Sequence, residues 1–219
     1  MSLLPHLEVE TGSRPDASII WLHGLGADGH DFQPIVSELQ LPQTTQFRFI
    51  FPHAPSIPVT INNGYVMPAW YDILDMTIDR KVDETQLRAS SRKIEEFIDN
   101  EMKRGISSER IIIAGFSQGG AVAFETVLTS KLKLGGLLAM STYFATKDSI
   151  QYSEQNKQTP VEIHHGTYDP VVPESLGQSS FALLKSKEYP VEYKSYPMEH
   201  AVCPQQIKDI SNWLQNRLL

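Results

Sequence analysis

Short apolar segments alternate with segments of helical periodicity along most of the chain, and this alternation constrains the fold more than any other feature of the sequence. Apolar runs without polar alternation predict strands that are covered on both faces, as in a parallel sheet. The runs that end at a glycine, a proline or a polar turn are residues 17–22, 48–51, 110–114, 136–140, 161–164 and 191–196. Strands separated by helices predict an α/β fold, with a mostly parallel central sheet and helices on both faces.

Helical segments are predicted between these strands. Asp83 and Gln86 have the spacing of a capping box, and Gly105 supplies a stop after the apolar stripe that follows them. That stripe consists of Leu87, Ile94, Phe97, Ile98 and Met102. Further helices are predicted over 118–130 and 174–187, and a last one from Pro204, which suits a first helical turn. The buried stripe predicted for this last helix is Ile207, Ile210, Trp213, Leu214 and Leu218.

Composition and charge favour one globular, acidic domain. The chain has 219 residues, of which 41% are hydrophobic and 21% charged. This composition is close to the globular average and excludes a disordered or fibrous chain. The length is short for two full domains, so a single domain over residues 1–219 is predicted. The net charge of -7 makes binding to nucleic acid unfavourable, since an acidic surface repels phosphate groups.

Signals for export or membrane insertion are not expected. Residues 1–10 lack the basic start and the apolar core of a signal peptide. The apolar runs are far shorter than the roughly 20 residues that cross a bilayer. The single cysteine, Cys203, has no partner for an intrachain disulfide, which fits a reducing compartment. We therefore expect a cytoplasmic protein without a stable membrane anchor.

The segment 53–82 interrupts the alternation of strands and helices. It contains three prolines and the turn-forming run Asn62-Asn63-Gly64, so it is predicted to be a long irregular loop. Loops of this length inside a compact domain usually have a function. The more polar segment 142–160 is also predicted to be irregular, and neither segment is interpreted as a domain boundary.

The motif Gly-Phe-Ser-Gln-Gly at residues 115–119 directly follows the predicted strand 110–114 and opens the predicted helix 118–130. A G-x-S-x-G pattern between a strand and a helix is typical of a serine nucleophile on a sharp turn, where the glycines avoid collisions. The helix also directs its positive end at the serine, which favours developing negative charge. We interpret Ser117 as a nucleophile; the alternative is a glycine-rich turn with an incidental serine.

A serine nucleophile needs a base, and the base needs an acid that orients it. Asp169 follows the predicted strand 161–164 and His200 follows the predicted strand 191–196, so both lie at the edge of the sheet where Ser117 lies. The order Ser, Asp, His along the chain is that of α/β-hydrolases. His200 is predicted to accept the serine proton, while Asp169 orients the imidazole and stabilises its cation.

Three neighbouring residues compete for these two roles. His164 and His165 are rivals for the base, but they lie within or just after a strand. His164 is expected to point into the core, and His165 to support the loop that carries Asp169. Glu199 could replace Asp169, yet it adjoins the base in sequence and is expected to be solvated.

Acyl transfer also needs two backbone N–H donors that face the developing oxyanion. The residue after the nucleophile, Gln118, is expected to supply one of them. The second is expected from the loop that follows the predicted strand 17–22, where His23-Gly24-Leu25-Gly26 forms an HG-type loop. Leu25 is therefore predicted to be the other donor.

Two other interpretations of this loop fit its sequence less well. Residues 24–29 spell G-x-G-x-x-G, but the next predicted strand ends at Pro52 and His53 without the acidic residue that a dinucleotide site requires. His23, Asp28, His30 and Asp31 contain metal-binding side chains. Their spacing is that of a loop, so a helix capped at Asp31 is favoured and no metal site is predicted.

On these residues the chain resembles bacterial carboxylesterases of the acyl-protein thioesterase/lysophospholipase group of α/β-hydrolases. The matching stretches span nearly the whole chain: WLHGLGADGHDF (21–32), FPHAP (51–55), PVTINNGYVMPAWYD (58–72), AGFSQGGA (114–121), LGG (134–136), STY (141–143), HGTYDPVVP (165–173) and YPMEHAVCPQQIKDI (196–210). The resemblance implies the same triad and oxyanion donors: Ser117, Asp169, His200, Leu25 and Gln118.

The resemblance also implies hydrolysis of acyl esters and thioesters without a metal or an organic cofactor. The loop 53–82 would then border the acyl pocket. Candidates for the apolar wall of that pocket are Ile61, Met67 and Trp70, together with Val172 from the loop after Asp169. For Trp70 a simple packing role is an equal alternative, since aromatic side chains bury large areas anywhere.

The sequence therefore predicts a serine carboxylesterase that hydrolyses short- to medium-chain acyl esters through an acyl-enzyme. Acylated proteins or lysophospholipids are alternative substrates, which would make it an acyl-protein thioesterase or a lysophospholipase. A non-catalytic binding module with the same fold is the alternative of a different class, and the complete triad argues against it. The acyl length, the choice between ester and thioester, and a homodimer through 53–82 or a sheet edge are left open.

Overall fold

The computed structural model describes residues 3–77 and 80–219. The strands in these residues are β1 His6–Glu10, β2 Ala17–Leu22, β3 Phe47–Pro52, β4 Ser56–Val59, β5 Tyr65–Pro68, β6 Ile73–Asp75, β7 Lys81–Val82, β8 Ile111–Phe116, β9 Gly136–Met140, β10 Val161–Gly166 and β11 Val191–Tyr196. The α-helices are α1 Ile35–Glu38, α2 Glu84–Lys103, α3 Gln118–Thr129, α4 Glu174–Ser186 and α5 Pro204–Leu218.

A central sheet contains seven of these strands, in the order β1-β3-β2-β8-β9-β10-β11. Neighbouring strands pair in parallel except β1 and β3, which are antiparallel. Strands β2, β3, β9 and β10 are buried at every residue, as continuous apolar runs require when both faces are covered. The predicted fold class, with its mostly parallel sheet, is confirmed.

Helices cover both faces of this sheet. Ile20 and Leu22 of β2 pack in one core with buried residues of α2, α3 and α4. Ile19 and Trp21 of the same strand pack in the opposite core with residues of α1 and α5. This division follows from the alternating direction of side chains along a strand.

The sequence pattern did not predict β1. Its residues alternate between polar and apolar, and none of them is fully buried, because β1 lies at the edge of the sheet with one face open. The search for continuous apolar runs detects central parallel strands and misses an edge strand of this type.

Charged side chains attach β1 to its neighbours. Glu101 of α2 is fully buried, and it accepts hydrogen bonds from Arg48 at 2.7 Å and Arg104 at 2.9 Å. Arg48 also donates to Glu10, and Arg104 donates to Glu8, both on β1. The hydrogen bond from Arg104 is the largest cause that lowers the pKa of Glu8 below its ordinary value. These ion pairs connect the edge strand to β3 and α2.

The stripe predicted for α2 is correct except at its end. Met102 is 39% exposed, and the adjacent Glu101 is buried instead. Asp83 caps the helix by accepting a hydrogen bond from the Gln86 amide at 2.9 Å. The Gln86 side chain does not close the predicted capping box, because its carbonyl accepts the amide of Asp72.

The helix start predicted at Asp31 is wrong. Residues 25–26 and 29–34 form turns, and the Asp31 amide donates to the Asp28 carbonyl. The helix α1 begins only at Ile35. Pro34 explains this, because proline has no N–H and disfavours a helical conformation in the residue before it.

The segment 53–82 is more regular than predicted. Strands β4 and β5 form one small antiparallel pair, and β6 and β7 form another. A 3₁₀ turn at Thr60–Asn62 connects β4 to β5, and Asn63 there has the left-handed conformation that asparagine tolerates. The prolines and turn residues therefore belong to hairpins rather than to an irregular loop.

Within the described part of the chain, none of the helices has the length and apolarity required to span a bilayer.

Candidate active site

Ser117 lies on a sharp turn between β8 and α3, with φ 53° and ψ -119°. This conformation is costly for a residue other than glycine and is typical of a nucleophile elbow. The two glycines of the motif are required by their surroundings. A Cβ on Gly115 would lie 2.4 Å from the Gly119 carbonyl oxygen, and one on Gly119 would lie 2.5 Å from the Leu22 carbonyl oxygen. The motif therefore packs the turn against the end of β2.

The side chains of Ser117, His200 and Asp169 form a chain of hydrogen bonds. Ser117 Oγ and His200 Nε2 are 2.9 Å apart, and His200 Nδ1 and Asp169 Oδ2 are 2.6 Å apart. A carboxylate can only accept, so Nδ1 carries the proton and Nε2 is free to accept the serine proton. The three residues come from the ends of β8, β10 and β11, as the strand order at one edge of the sheet requires.

The ionised form of the Asp169 carboxyl group is stabilised by its hydrogen bonds. Its side chain is completely buried, and its Oδ1 accepts the amides of Val171 at 2.9 Å and Val172 at 2.8 Å. Burial alone would raise the pKa of Asp169, but the hydrogen bonds from His200 and from these two amides outweigh it, so the pKa is lowered. The ion therefore keeps its charge beside the imidazole.

The competing residues have other partners. His164 is fully buried and its Nε2 is 2.7 Å from a Glu162 oxygen. His165 Nε2 donates to the Val172 carbonyl at 2.8 Å, so this histidine supports the loop of Asp169, and burial lowers its pKa. Glu199 is exposed. None of these three side chains bonds to Ser117 in the described structure.

The backbone amides of Leu25 and Gln118 are candidates for the oxyanion hole. Both residues line the cavity that contains Ser117 and His200. Neither amide has an acceptor among the described residues. The loop of Leu25 lies against the nucleophile, since a Cβ on Gly24 would be 3.4 Å from the Ser117 Cβ. Two free donors beside a serine could stabilise a tetrahedral oxyanion.

The cavity above Ser117 has a volume of about 230 Å³. Of the pocket candidates, Ile61 and Val172 line it. Met67 is not on the wall, because its hairpin directs it towards Gly26 and its sulfur accepts from the Asn62 side chain. Trp70 is not on the wall either. It is 1% exposed and lies beneath the site, where its indole N–H donates to the His23 carbonyl at 2.9 Å.

Arg80 and Tyr143 separate this cavity from a second one. The second cavity has a volume of about 410 Å³, and both residues line both cavities. The Arg80 guanidinium lies 5.1 Å from the centre of the Tyr143 ring and donates to the Val171 carbonyl. Sequence reasoning missed Arg80, because a single arginine in a turn-rich segment carries no pattern.

A separate group of metal-binding side chains lies beside the oxyanion loop. Asp28, His30 and His53 each have a donor atom within 4.8 Å of the others. However, His53 Nδ1 accepts the Gly29 amide, so Nε2 of a neutral His53 carries the proton. His30 Nδ1 donates to Asp28. Of the two histidines, only His30 therefore has a free lone pair for a metal ion, on its Nε2. This group therefore does not form a ready ligand set for a metal ion.

Comparisons with known proteins identify the family to which this chain is similar. A family model described as phospholipase/carboxylesterase matches residues 4–218. An acyl-protein thioesterase 1 from Neurospora crassa is 38% identical over 98% of this chain and 92% of its own length. The crystal structure of SOBER1 from Arabidopsis thaliana has a TM-score of 0.86 and 32% identity, and covers 93% of this chain and 99% of its own. An acyl-protein thioesterase 2 from Zea mays has a TM-score of 0.86 and 27% identity, with 99% and 100% covered.

Proposed function

We propose that Ser117, His200 and Asp169 are the catalytic residues of this chain, which belongs to the phospholipase/carboxylesterase family. The chain is therefore an ester or thioester hydrolase. The observation that carries the proposal is the chain of hydrogen bonds that runs from the buried Asp169 through His200 to Ser117, the last two of which line a cavity. Leu25 and Gln118 are proposed as the oxyanion donors.

The reaction has two halves with the same geometry. Ser117 Oγ attacks the acyl carbonyl while His200 Nε2 takes the hydroxyl proton, and the Leu25 and Gln118 amides stabilise the oxyanion. Collapse of the tetrahedral intermediate breaks the bond to the alcohol or thiol, which leaves with the proton from His200. Water then attacks the acyl-enzyme in the same way, with His200 as the base, and releases the carboxylic acid.

The substrate proposed is a short- to medium-chain acyl ester. The cavity of about 230 Å³ is smaller than the roughly 300–1,000 Å³ of pockets that enclose drug-sized ligands. Its lining includes Ile61, Ile73 and Val172, which suits an apolar acyl chain. Arg80 and Tyr143 close the way to the second cavity, so a long chain would have to displace them.

A second candidate is the hydrolysis of thioesters on acylated proteins. It is favoured by the similarity to proteins described as acyl-protein thioesterases, over nearly the full length of each chain. The same triad serves both reactions, since a thiolate leaves more readily than an alkoxide. The two candidates therefore differ in acyl length and in access to the site.

A chain-length series separates these candidates. Turnover of p-nitrophenyl esters from C2 to C16 is measured beside a palmitoyl thioester. A maximum between C4 and C8 with slow thioester turnover supports the small-ester proposal. A maximum between C12 and C16 with fast thioester turnover transfers the assignment to the deacylation of lipids or proteins.

The catalytic assignment is tested with Ser117→Ala. This variant is expected to lose turnover of p-nitrophenyl butyrate and labelling by a fluorophosphonate while keeping the wild-type melting temperature. Ser186→Ala is the matched control, because Ser186 is an exposed serine on α4. Full activity of Ser117→Ala would overturn the assignment.

A further inference from the structure

The His23 side chain is completely buried beside the oxyanion loop and has one defined tautomer. It is 1% exposed. Its Nε2 is 3.1 Å from the Ala54 amide, and its Nδ1 is 2.8 Å from the Gly24 carbonyl oxygen. An amide N–H can only donate and a carbonyl can only accept, so Nε2 is bare and Nδ1 carries the proton. The ring is therefore neutral.

The carbonyl that His23 holds belongs to the peptide group of the oxyanion donor. The Gly24 C=O and the Leu25 N–H are the two ends of one peptide plane, and no peptide bond in the described residues is cis. In a trans peptide these two groups point in opposite directions. Fixing the Gly24 oxygen towards the core therefore directs the Leu25 N–H away from the core, towards the cavity that it lines with Ser117.

The preceding peptide is held by the same buried layer. The indole N–H of Trp70 donates to the His23 carbonyl at 2.9 Å, and the two rings lie 5.0 Å apart. The Gln118 side chain accepts the Trp70 amide at 2.8 Å and donates to the Tyr71 carbonyl. Residues 70–71 thus connect the loop of one oxyanion donor, Leu25, to the other donor, Gln118.

From this geometry we infer that His23 is a positioning residue, which sets the direction of the Leu25 N–H through the Gly24 carbonyl and does so only as the neutral ring protonated on Nδ1. The inference rests on the proposed function. A proton added to Nε2 would face the Ala54 N–H and break that contact. Asp28, Asp31 and His53 are the ionisable groups that face the ring. Burial outweighs the carboxylates and lowers the pKa of His23, so the neutral ring persists to moderately acidic pH.

Two substitutions separate the two hydrogen bonds of the ring. In His23→Asn the amide nitrogen takes the place of Nδ1 and keeps the bond to Gly24, whereas the contact with Ala54 is lost. In His23→Gln the longer side chain reaches Ala54 and loses the hold on Gly24. Because a missing oxyanion donor lowers kcat by about 10²–10³-fold, we expect His23→Gln to lose about 10- to 100-fold in kcat, and His23→Asn less than about 10-fold. KM is expected to change little in either variant.

A transition-state analogue reports on the oxyanion hole directly. The Ki of an alkyl boronic acid should rise in His23→Gln by the factor by which kcat/KM falls. The ratio of wild-type to His23→Asn activity should stay constant as the pH passes about 6.5, the ordinary pKa of histidine, and fall only at lower pH, because burial lowers the pKa of His23 and only the wild type carries this ring. Equal losses in kcat for the two variants, or an unchanged Ki, would overturn the inference.

One measurement needs no variant. Long-range ¹H–¹⁵N spectra of the wild type should show a His23 ring with a protonated Nδ1 and a bare Nε2 at neutral pH, and the opposite tautomer would overturn the inference even if both variants fail to fold. Fluorophosphonate labelling of Ser117 is measured in the same samples. If Ser117 is not labelled in the wild type, the proposed function has failed; if it is labelled and the tautomer or the Ki disagrees, only the role of His23 has failed.

Discussion

Adding a single methyl group at Gly119 tests how the nucleophile turn is fitted to the end of β2. Gly119 lies in the first turn of α3, where alanine favours the helix over glycine by about 1 kcal/mol. The structure opposes this gain. The new Cβ would lie 2.5 Å from the Leu22 carbonyl oxygen and 2.6 Å from that of His23. Both contacts are with backbone, which cannot rotate away.

The expected result is a net loss of stability. Overpacking of a filled core costs about 1–3 kcal/mol, so after the helix gain Gly119→Ala should lower the free energy of unfolding by up to about 2 kcal/mol. In a chain of this size that corresponds to a fall of roughly 4–8 °C in melting temperature. The clash would also move the start of α3, with Gln118, away from the loop that carries Leu25. The value of kcat should therefore fall as well, by up to the roughly 10²–10³-fold effect of losing one oxyanion donor.

Urea unfolding and p-nitrophenyl butyrate turnover measure the two effects. Gly64→Ala is the control, because a Cβ there would contact nothing within 4 Å, so that only its positive φ of 74° opposes the substitution. It should cost about 1–2 kcal/mol for the left-handed backbone and leave kcat unchanged. A Gly119→Ala enzyme as stable as the wild type, with normal kcat, would refute the packing argument.

Three further outcomes are expected. Arg80→Ala should join the two cavities and move the preferred p-nitrophenyl ester to longer chains. Lys81→Ala, which removes a neighbouring exposed charge, should not change the preferred chain length. An unchanged chain-length preference in Arg80→Ala would contradict the closure by Arg80. Arg48→Met leaves the buried Glu101 with one arginine fewer, and because breaking a buried ion pair costs about 3–5 kcal/mol, chemical unfolding should show a loss of that order. Asp169 has a lowered pKa, so it stabilises the native state above the ordinary carboxyl pKa of about 3.9, and this contribution is lost at lower pH. The melting temperatures of the wild type and Asp169→Asn should therefore converge as the pH falls from 6 to 3. Parallel curves of melting temperature against pH would contradict the direction of the shift.

The sequence predicts the central sheet well because buried parallel strands have a simple signature. Strand β2 and strand β9 have the bounds that their apolar runs predict. The edge strand β1 was not predicted, since its residues alternate between polar and apolar. Its ion pairs with Arg48 and Arg104 have no local signature either, because these partners are distant in the chain. The burial of Glu101 was not predicted for the same reason, because a buried glutamate is stable only beside cations.

The candidate site was predictable where chemistry dictates residue type and chain order. The roles proposed for Ser117, Asp169 and His200 follow from a motif and from strand ends. The wall of the cavity was less predictable, as Met67 and Trp70 illustrate, because the direction of a side chain in a hairpin depends on strand register. The contacts of His23 could have been suspected from its place before Gly24, yet its tautomer requires the position of Ala54.

Strand β1 forms an edge of the sheet and is attached partly by charge, in addition to its backbone pairing with β3. Glu8 and Glu10 hold it through Arg48 and Arg104, and salt or acid weakens such bonds far more than it weakens an apolar core. The strand should therefore exchange its amide hydrogens faster at high ionic strength, while the amides of β8 stay protected. Its release would uncover the backbone of β3, which is a template for pairing with another chain. The ion pairs around Glu101 therefore help to keep this backbone covered.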